Sequence, residues 1–311
     1  MRYNRPVERE RGQTVHRNRL YILGKSTRSK PGIRESQGAY IAGARPKVLS
    51  LFSGAMGLDL GLEAAGFEIA GCLECNKHAC ETIRLNRCDL PLIEDDIRNW
   101  TAKQILSKID VRGTDIDLIV GGPPCPSFST AGRRKSFDDP RGQVMFDFLR
   151  IVDDIHPQFF VMENVRGILS ASLSHVPLVD RGRNGHVRKP EEMPGGVMVV
   201  LNERFKKMGY TVTAQLVNAA NYGVPQKRER VVFVGSRAGL TITLPSGEYS
   251  QKGGLFHRPW RTLEDAFEGL VDKNPEFLPI SPNRKKYFNI LKSGQNWRDL
   301  PTHMIKEALG G

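Results

Sequence analysis

Cys125 lies in the segment GGPPCPSFS, directly after the apolar run DLIV at residues 117–120. Prolines at positions 123, 124 and 126 fix the backbone on both sides and hold the thiol in one place. A thiolate can add to an electron-poor carbon, and a carboxylic acid at a neighbouring strand end can donate or share a proton on the same substrate. Glu163, in the segment FFVMENV, is such an acid. Two readings of Cys125 stand on these residues alone: a nucleophile, or a small buried hydrophobe, which is the commoner fate of a free cysteine.

A second group surrounds the segment PKVLSLFSGAMGLDLGLEAAGFEIAGCLEC. Its small-residue turn, Ser53 to Gly57, lets the backbone approach a ligand closely, and Glu74, 20 residues beyond Gly54, can bind a ribose hydroxyl pair. The glycines fall at 54, 57 and 61, which departs from the dinucleotide fingerprint. A nucleoside site and an ordinary turn both remain open. Two further acids, Asp95 and Asp96, close the next short apolar run.

These residues need a scaffold that brings strand ends together. The sequence predicts strands at residues 48–52, 68–73, 92–93, 117–120, 159–162, 211–217 and 231–234, and helices at 58–65, 78–86, 102–109, 146–155 and 197–208. Such alternation implies an α/β fold, a doubly wound and mainly parallel Rossmann-like sheet with helices on both faces. Ligands of such sheets bind beyond the strand C-termini, where Phe52, Glu74, Asp96, Cys125 and Glu163 all fall.

At 39% hydrophobic and 26% charged residues, the 311-residue chain is not a disordered one. No run approaches 18 apolar residues and no secretory signal is visible, so a cytoplasmic location is expected. The net charge of +12 is unevenly placed: residues 1–47 hold 12 Lys and Arg against Glu8, Glu10 and Glu35. Residues 1–46 read as a basic, disordered arm that either binds phosphates or only keeps the chain soluble. Cys72, Cys75, Cys80 and Cys88 lack a second Cys-x-x-Cys pair and are expected to be core thiols. The seven histidines show no metal-ligand spacing, and His175 and His186 fall in a Gly- and Arg-rich insert at 170–196; no metal is expected.

Taken in order, the blocks resemble the cytosine-5 DNA methyltransferases. SLFSGAMGLDLGLEAAGF is similar to the family's cofactor turn, Glu74 and Asp96 to its ribose and adenine acids, GGPPCPSFS to its nucleophile loop, Glu163-Asn164-Val165 to its Glu-Asn-Val triplet, and NAANYGVPQKRERVVFVG to its Gln-x-Arg-x-Arg block. The resemblance spans residues 46–300 and implies transfer of a methyl group from S-adenosyl-L-methionine to C5 of cytosine. Phe52, Ser53, Gly54, Gly57, Glu74, Asp96, Ile97 and Pro123 would bind the cofactor; Cys125, Glu163, Arg228 and Arg230 would do the chemistry. The implied partner is double-stranded DNA with a flipped cytosine, as in a restriction-modification or orphan system, and no membrane. The basic stretch Ser127 to Arg141 would close over the flipped base, or is an ordinary solvated loop. These residues do not decide between cytosine in DNA and in RNA.

Two departures accompany the resemblance. Met56 replaces a glycine common in the family's first block, which would alter the turn's approach to the cofactor. The segments RTLEDAFEGL and NRKKYFNILKSGQNWRDLP are similar to the helix before the family's target-recognition domain and to the start of that domain, yet its remainder and a final Gly-Asn-x-Val block do not follow. The expected layout is therefore an arm at 1–46, a catalytic domain at 47–260 and a truncated recognition region at 261–311, explained by a split gene whose second polypeptide supplies the rest, by a truncated or frameshifted reading frame, or by a fragment, the first two being favoured; the alternative to an active enzyme is a catalytic subunit or remnant that binds cofactor or DNA but is inactive without a complementing C-terminal chain.

Overall fold

The computed structural model describes residues 45–124, 140–172, 193–271 and 279–309, with side chains from 144 onward in the second stretch and to 307 in the last. Cys125, the basic arm, His175, His186 and the loop from Ser127 lie outside the described residues.

The chain alternates β1 (Lys47–Leu51), α1 (Gly57–Ala64), β2 (Glu68–Glu74), α2 (Lys77–Asn86), β3 (Leu92–Glu94), α3 (Ala102–Lys108), β4 (Leu118–Gly121), α4 (Pro140–Ile155), β5 (Phe159–Val165), α5 (Gly196–Lys207), β6 (Thr211–Asn218) and β7 (Glu229–Ser236). Seven strands form one sheet in the order β3-β2-β1-β4-β5-β7-β6. β1 to β5 run parallel, while β7 is antiparallel to both β5 and β6. The mainly parallel reading holds, and the reversal at β7 is new.

Alternation of side chains along each strand explains the layers. Leu49, Leu51, Leu73, Ile119, Phe160 and Met162 point to one face, where they pack with Ile105 of α3, Phe148 and Leu149 of α4 and Leu201 and Phe205 of α5. Val48, Ile69, Cys72, Leu118 and Val120 point to the other, against Met56, Leu62 of α1 and Ile83 of α2. Burial on both faces is why these strands read as near-continuous apolar runs. Phe160 is central to the larger layer, edge-on to Phe148 and Tyr210 and tilted against Phe205.

Local chemistry sets the helix starts. Asn76 caps α2 through its side chain, Thr101 and Gln104 form a capping box at α3, and Pro140 occupies the first turn of α4. The fifth strand extends to Val165, past the expected end at 162, because β7 pairs with it down to Arg230. Glu163 and Asn164 therefore lie within a paired strand rather than in a loop after it.

The chain divides into two compact units, one ending at Arg261 and one beginning at Thr262. The first also carries a short parallel pair, β8 (Tyr249–Ser250) and β9 (Arg258–Pro259). The second contains α6 (Leu263–Phe267), α7 (Pro282–Phe288) and α8 (Thr302–Leu309), with Lys286 of α7 paired to Glu307 of α8. Leu263, Phe267, Phe288 and Trp297 are exposed in this second unit, and Leu300 is buried. Among the described residues no helix is long and apolar enough to cross a membrane.

Candidate active site

The strand order changes direction between β1 and β4, and the two segments that leave those strands at their C-terminal ends open the crevice where such sheets bind ligands. From β1 the chain enters a tight turn in which Phe52, Gly54 and Met56 have positive φ values of 57°, 54° and 64°. Left-handed geometry is natural for glycine and strained for Phe and Met. The Phe52 N–H donates to Leu73 O, and the Met56 side chain, 3% exposed, anchors the turn in the smaller core layer. A Cβ placed at Gly54 or Gly57 would meet nothing within 4 Å, so the turn faces open space that a ligand can fill.

Glu74 closes this turn from behind. It is 8% exposed; its Oε2 accepts from Gly54 N–H at 2.8 Å and its Oε1 from Asn76 N–H at 2.8 Å. Each oxygen keeps a lone pair open to a further donor. The Gly54 N–H is engaged by Glu74, so this glycine offers space rather than a donor. The Ser53 hydroxyl donates to Ser50 O at 3.3 Å.

Asp96 follows β3 and caps the 3₁₀ turn Ile97–Asn99, accepting from Arg98 N–H at 2.9 Å. The Arg98 guanidinium grips the same carboxylate through Nε at 2.9 Å and Nη2 at 2.6 Å, holding its pKa below the ordinary carboxylate range. Asp95 is lowered too, by hydrogen bonds from Asn99, Trp100 and the Asp96 N–H. Ile97 is 1% exposed, so its side chain anchors the turn in the core.

The second half of the site is built by β4, β5 and β7. Glu163 Oε1 pairs with Arg230 Nε at 2.7 Å across the β5–β7 ladder, a diagonal contact in which Glu163 faces Val232 and Arg230 faces Val165. Its Oε2 sits 3.3 Å from where a Cβ would lie on Gly122, so the carboxylate rests over the backbone that leads through Pro123 and Pro124 into Cys125. Asn164, 2% exposed, donates to Pro123 O at 3.3 Å and pins that segment to β5; Pro123 itself is buried. Arg228 is exposed on a groove of about 850 Å³ at the end of β5, with Arg166, Lys227, Arg230 and Gln226 among its walls.

Several residues of this region carry no signal as single letters. Asn218 Oδ1 accepts from both Ala220 N–H and Arg228 N–H at 3.1 Å, which shapes the basic turn. Arg166 pairs with Glu229 at 2.8 Å beside Arg230. Asp59 of α1 is 1% exposed with neither carboxylate oxygen hydrogen-bonded, and burial raises its pKa despite the Ser50 hydroxyl beside it. An acid on the inward side of an apolar helix was its only sequence signal. The cysteine expectation needs correcting: Cys72 and Cys80 are buried core thiols, but Cys75 and Cys88 are exposed, because α2 turns both flanks of its sequence to solvent. Burial pushes the Cys72 thiol up to about 12 and raises Cys75 and Cys80 as well, so none of these three is a poised thiolate.

A family profile of C-5 cytosine-specific DNA methylases matches residues 46–296. The Type II methyltransferase M.AquIA of Picosynechococcus sp. is 38% identical over 237 residues, covering 74% of this chain and 90% of that protein. M.FnuDI of Fusobacterium nucleatum, also a Type II methyltransferase, is 41% identical over 233 residues, 73% of this chain and 58% of that one. The chain thus spans nearly all of one relative and less than two thirds of the other. A crystal structure described as a DNA modification methyltransferase encoded within a prophage (E. coli) aligns with a TM-score of 0.53 at 29% identity, covering 73% of this chain and 56% of that chain. The sheet order, the turn after β1 and the Glu163–Arg230 pair belong to the matched span, and with it the chain belongs to the C-5 cytosine-specific DNA methylases, enzymes that use S-adenosylmethionine to methylate cytosine in DNA.

Proposed function

We propose that this chain carries out that methylation through a covalent adduct between Cys125 and C6 of a flipped cytosine, in a restriction-modification or orphan system of the cytoplasm. The observation that carries this reading is the seating of Glu163 over Gly122, three residues before Cys125, with one carboxylate oxygen fixed by Arg230 and the other turned to the nucleophile segment.

S-adenosylmethionine, when bound, supplies an electrophilic methyl group. The turn at Phe52 to Gly57 fits it, since Gly54 and Gly57 leave the space and Glu74 stands behind with free lone pairs for the ribose. Asp96 would accept from the adenine amino group, and Pro123 would border the methionine end. The Cys125 thiolate forms a bond to C6, and the electrons of the C5–C6 double bond make C5 nucleophilic. Glu163 hydrogen-bonds N3 and the exocyclic amine and offsets the charge that develops as sulfur adds. Arg230 keeps that carboxylate in place, and Arg228 neutralises the phosphate or the base O2. After methylation a base removes the C5 proton, and the electron pair re-forms the double bond as Cys125 leaves.

In this reading residues 47–260 are the catalytic domain, 1–46 a basic arm and 261–311 the beginning of the target-recognition region. The test is incubation with S-adenosylmethionine and duplex DNA containing 5-fluorocytosine, whose C5 fluorine does not leave. A denaturant-stable adduct, lost in Cys125→Ala, is expected. Absence of an adduct refutes the reading.

A further inference from the structure

The 3₁₀ turn Ile97–Asn99 that Asp96 caps is only three residues long, and a single bond of its own, Trp100 N–H to Ile97 O at 3.1 Å, closes its end. A residue 50 positions beyond Trp100 adds two further bonds there. Arg150, on α4, donates from Nη1 to Trp100 O at 3.0 Å and from Nη2 to Ile97 O at 3.2 Å. Its guanidinium is itself aimed by Asp147, one turn earlier on the same helix, through Nε at 3.3 Å and Nη2 at 3.1 Å. The two side chains are 33% and 21% exposed, so this is a half-buried clamp rather than a solvated surface pair. The negative charge of Asp147 also favours the charged form of Arg98, whose guanidinium holds the Asp96 carboxylate. The turn is thus held from two sides: Arg98 grips the Asp96 carboxylate from within it, and Arg150, aimed by Asp147, holds two of its carbonyls from α4.

We propose that Arg150 is a positioning residue for the adenine end of the cofactor site, fixing the turn from which Asp96 presents its carboxylate. A planar fork suits this task because its two donors span two carbonyls at a set separation. Among the described residues, the helix that bears Arg150 is also the first element after the nucleophile segment. The clamp therefore ties the adenine pocket to the element that follows Cys125, although neither lies near the other in sequence. The proposal rests on the reading of Asp96 as the adenine acceptor, and the experiment separates the two.

Binding of S-adenosylhomocysteine and S-inosylhomocysteine is measured by calorimetry on the full chain and on Arg150→Met, Arg150→Lys and Asp96→Ala. The inosyl compound carries a carbonyl where adenine has its amino group, so it gains nothing from a well-aimed Asp96. In Arg150→Met the adenosyl compound is expected to bind about tenfold more weakly, the loss of a charge-assisted hydrogen bond, with the inosyl compound almost unchanged. Discrimination between the ligands then collapses. Arg150→Lys, with one point donor for a fork, is expected to fall between, and it decides the question where the Met variant does not fold. Both ligands weakening in parallel in the variants would mean a merely structural role and overturn the proposal. Collapse in Asp96→Ala with full discrimination in both Arg150 variants would overturn it while leaving Asp96 as the acceptor. No effect in Asp96→Ala would remove the underlying reading instead.

Discussion

Replacing Met56 by alanine and, separately, by glycine pits side-chain burial against backbone strain in the turn after β1. The side chain is 3% exposed and packs with Val48, Ile69 and Ile83, so truncation to alanine should cost about 3 kcal/mol in lost contacts and cavity. Alanine retains the strained backbone at φ 64°. Glycine loses the same side chain but relieves roughly 1–2 kcal/mol of left-handed strain, against about 0.5–1 kcal/mol of extra freedom in the unfolded chain. The balance favours glycine by about 0.5–1 kcal/mol, the reverse of the order at an ordinary helical or strand position. Urea unfolding with an unchanged m-value is the assay: wild type should be most stable, then Met56→Gly, then Met56→Ala. If the alanine variant proves the more stable of the two, the turn is not held left-handed at Met56 and the reasoning fails. The same measurement states why the sequence keeps a methionine at this place: core burial outweighs the strain.

Glu163→Gln should lower the rate of methyl transfer by about 10²- to 10⁴-fold, the usual range for a lost proton-sharing group, while S-adenosylhomocysteine binds as before; a change in binding alone would point to a structural role. Asp59 has a folded-state pKa raised by burial, so its contribution to stability is present below the unfolded carboxyl pKa and is lost as pH rises toward the folded value. Asp59→Asn, which keeps the shape without the charge, should therefore flatten the fall in stability above about pH 4, read as urea midpoints across pH, and be the more stable protein at neutral pH. Midpoints of the two proteins that run parallel with pH would contradict this.

The sequence by itself determined the layered fold and most of the strand-end residues, because strands buried on both faces must be near-continuously apolar and such runs are visible in one dimension. The turn at Ser53 to Gly57, Glu74 and the prolines before Cys125 were legible for a related reason: their roles depend on backbone constraint, which is written in Gly, Pro and local spacing. Met56 was visible as a departure, yet that its side chain anchors the turn required the smaller core layer to be seen. What depended on pairing between distant segments was hidden. The antiparallel entry of β7 extends β5 through Val165 and brings Arg230 onto Glu163, though 67 residues separate the two. Arg150, Asp147 and Asn218 have no local signature, since a guanidinium on a helix or an amide at a strand end gains its meaning from the carbonyl or carboxylate it meets. Such polar contacts are decided only when the sheet is closed, because a buried donor must be satisfied by whichever acceptor the tertiary structure places within about 3 Å.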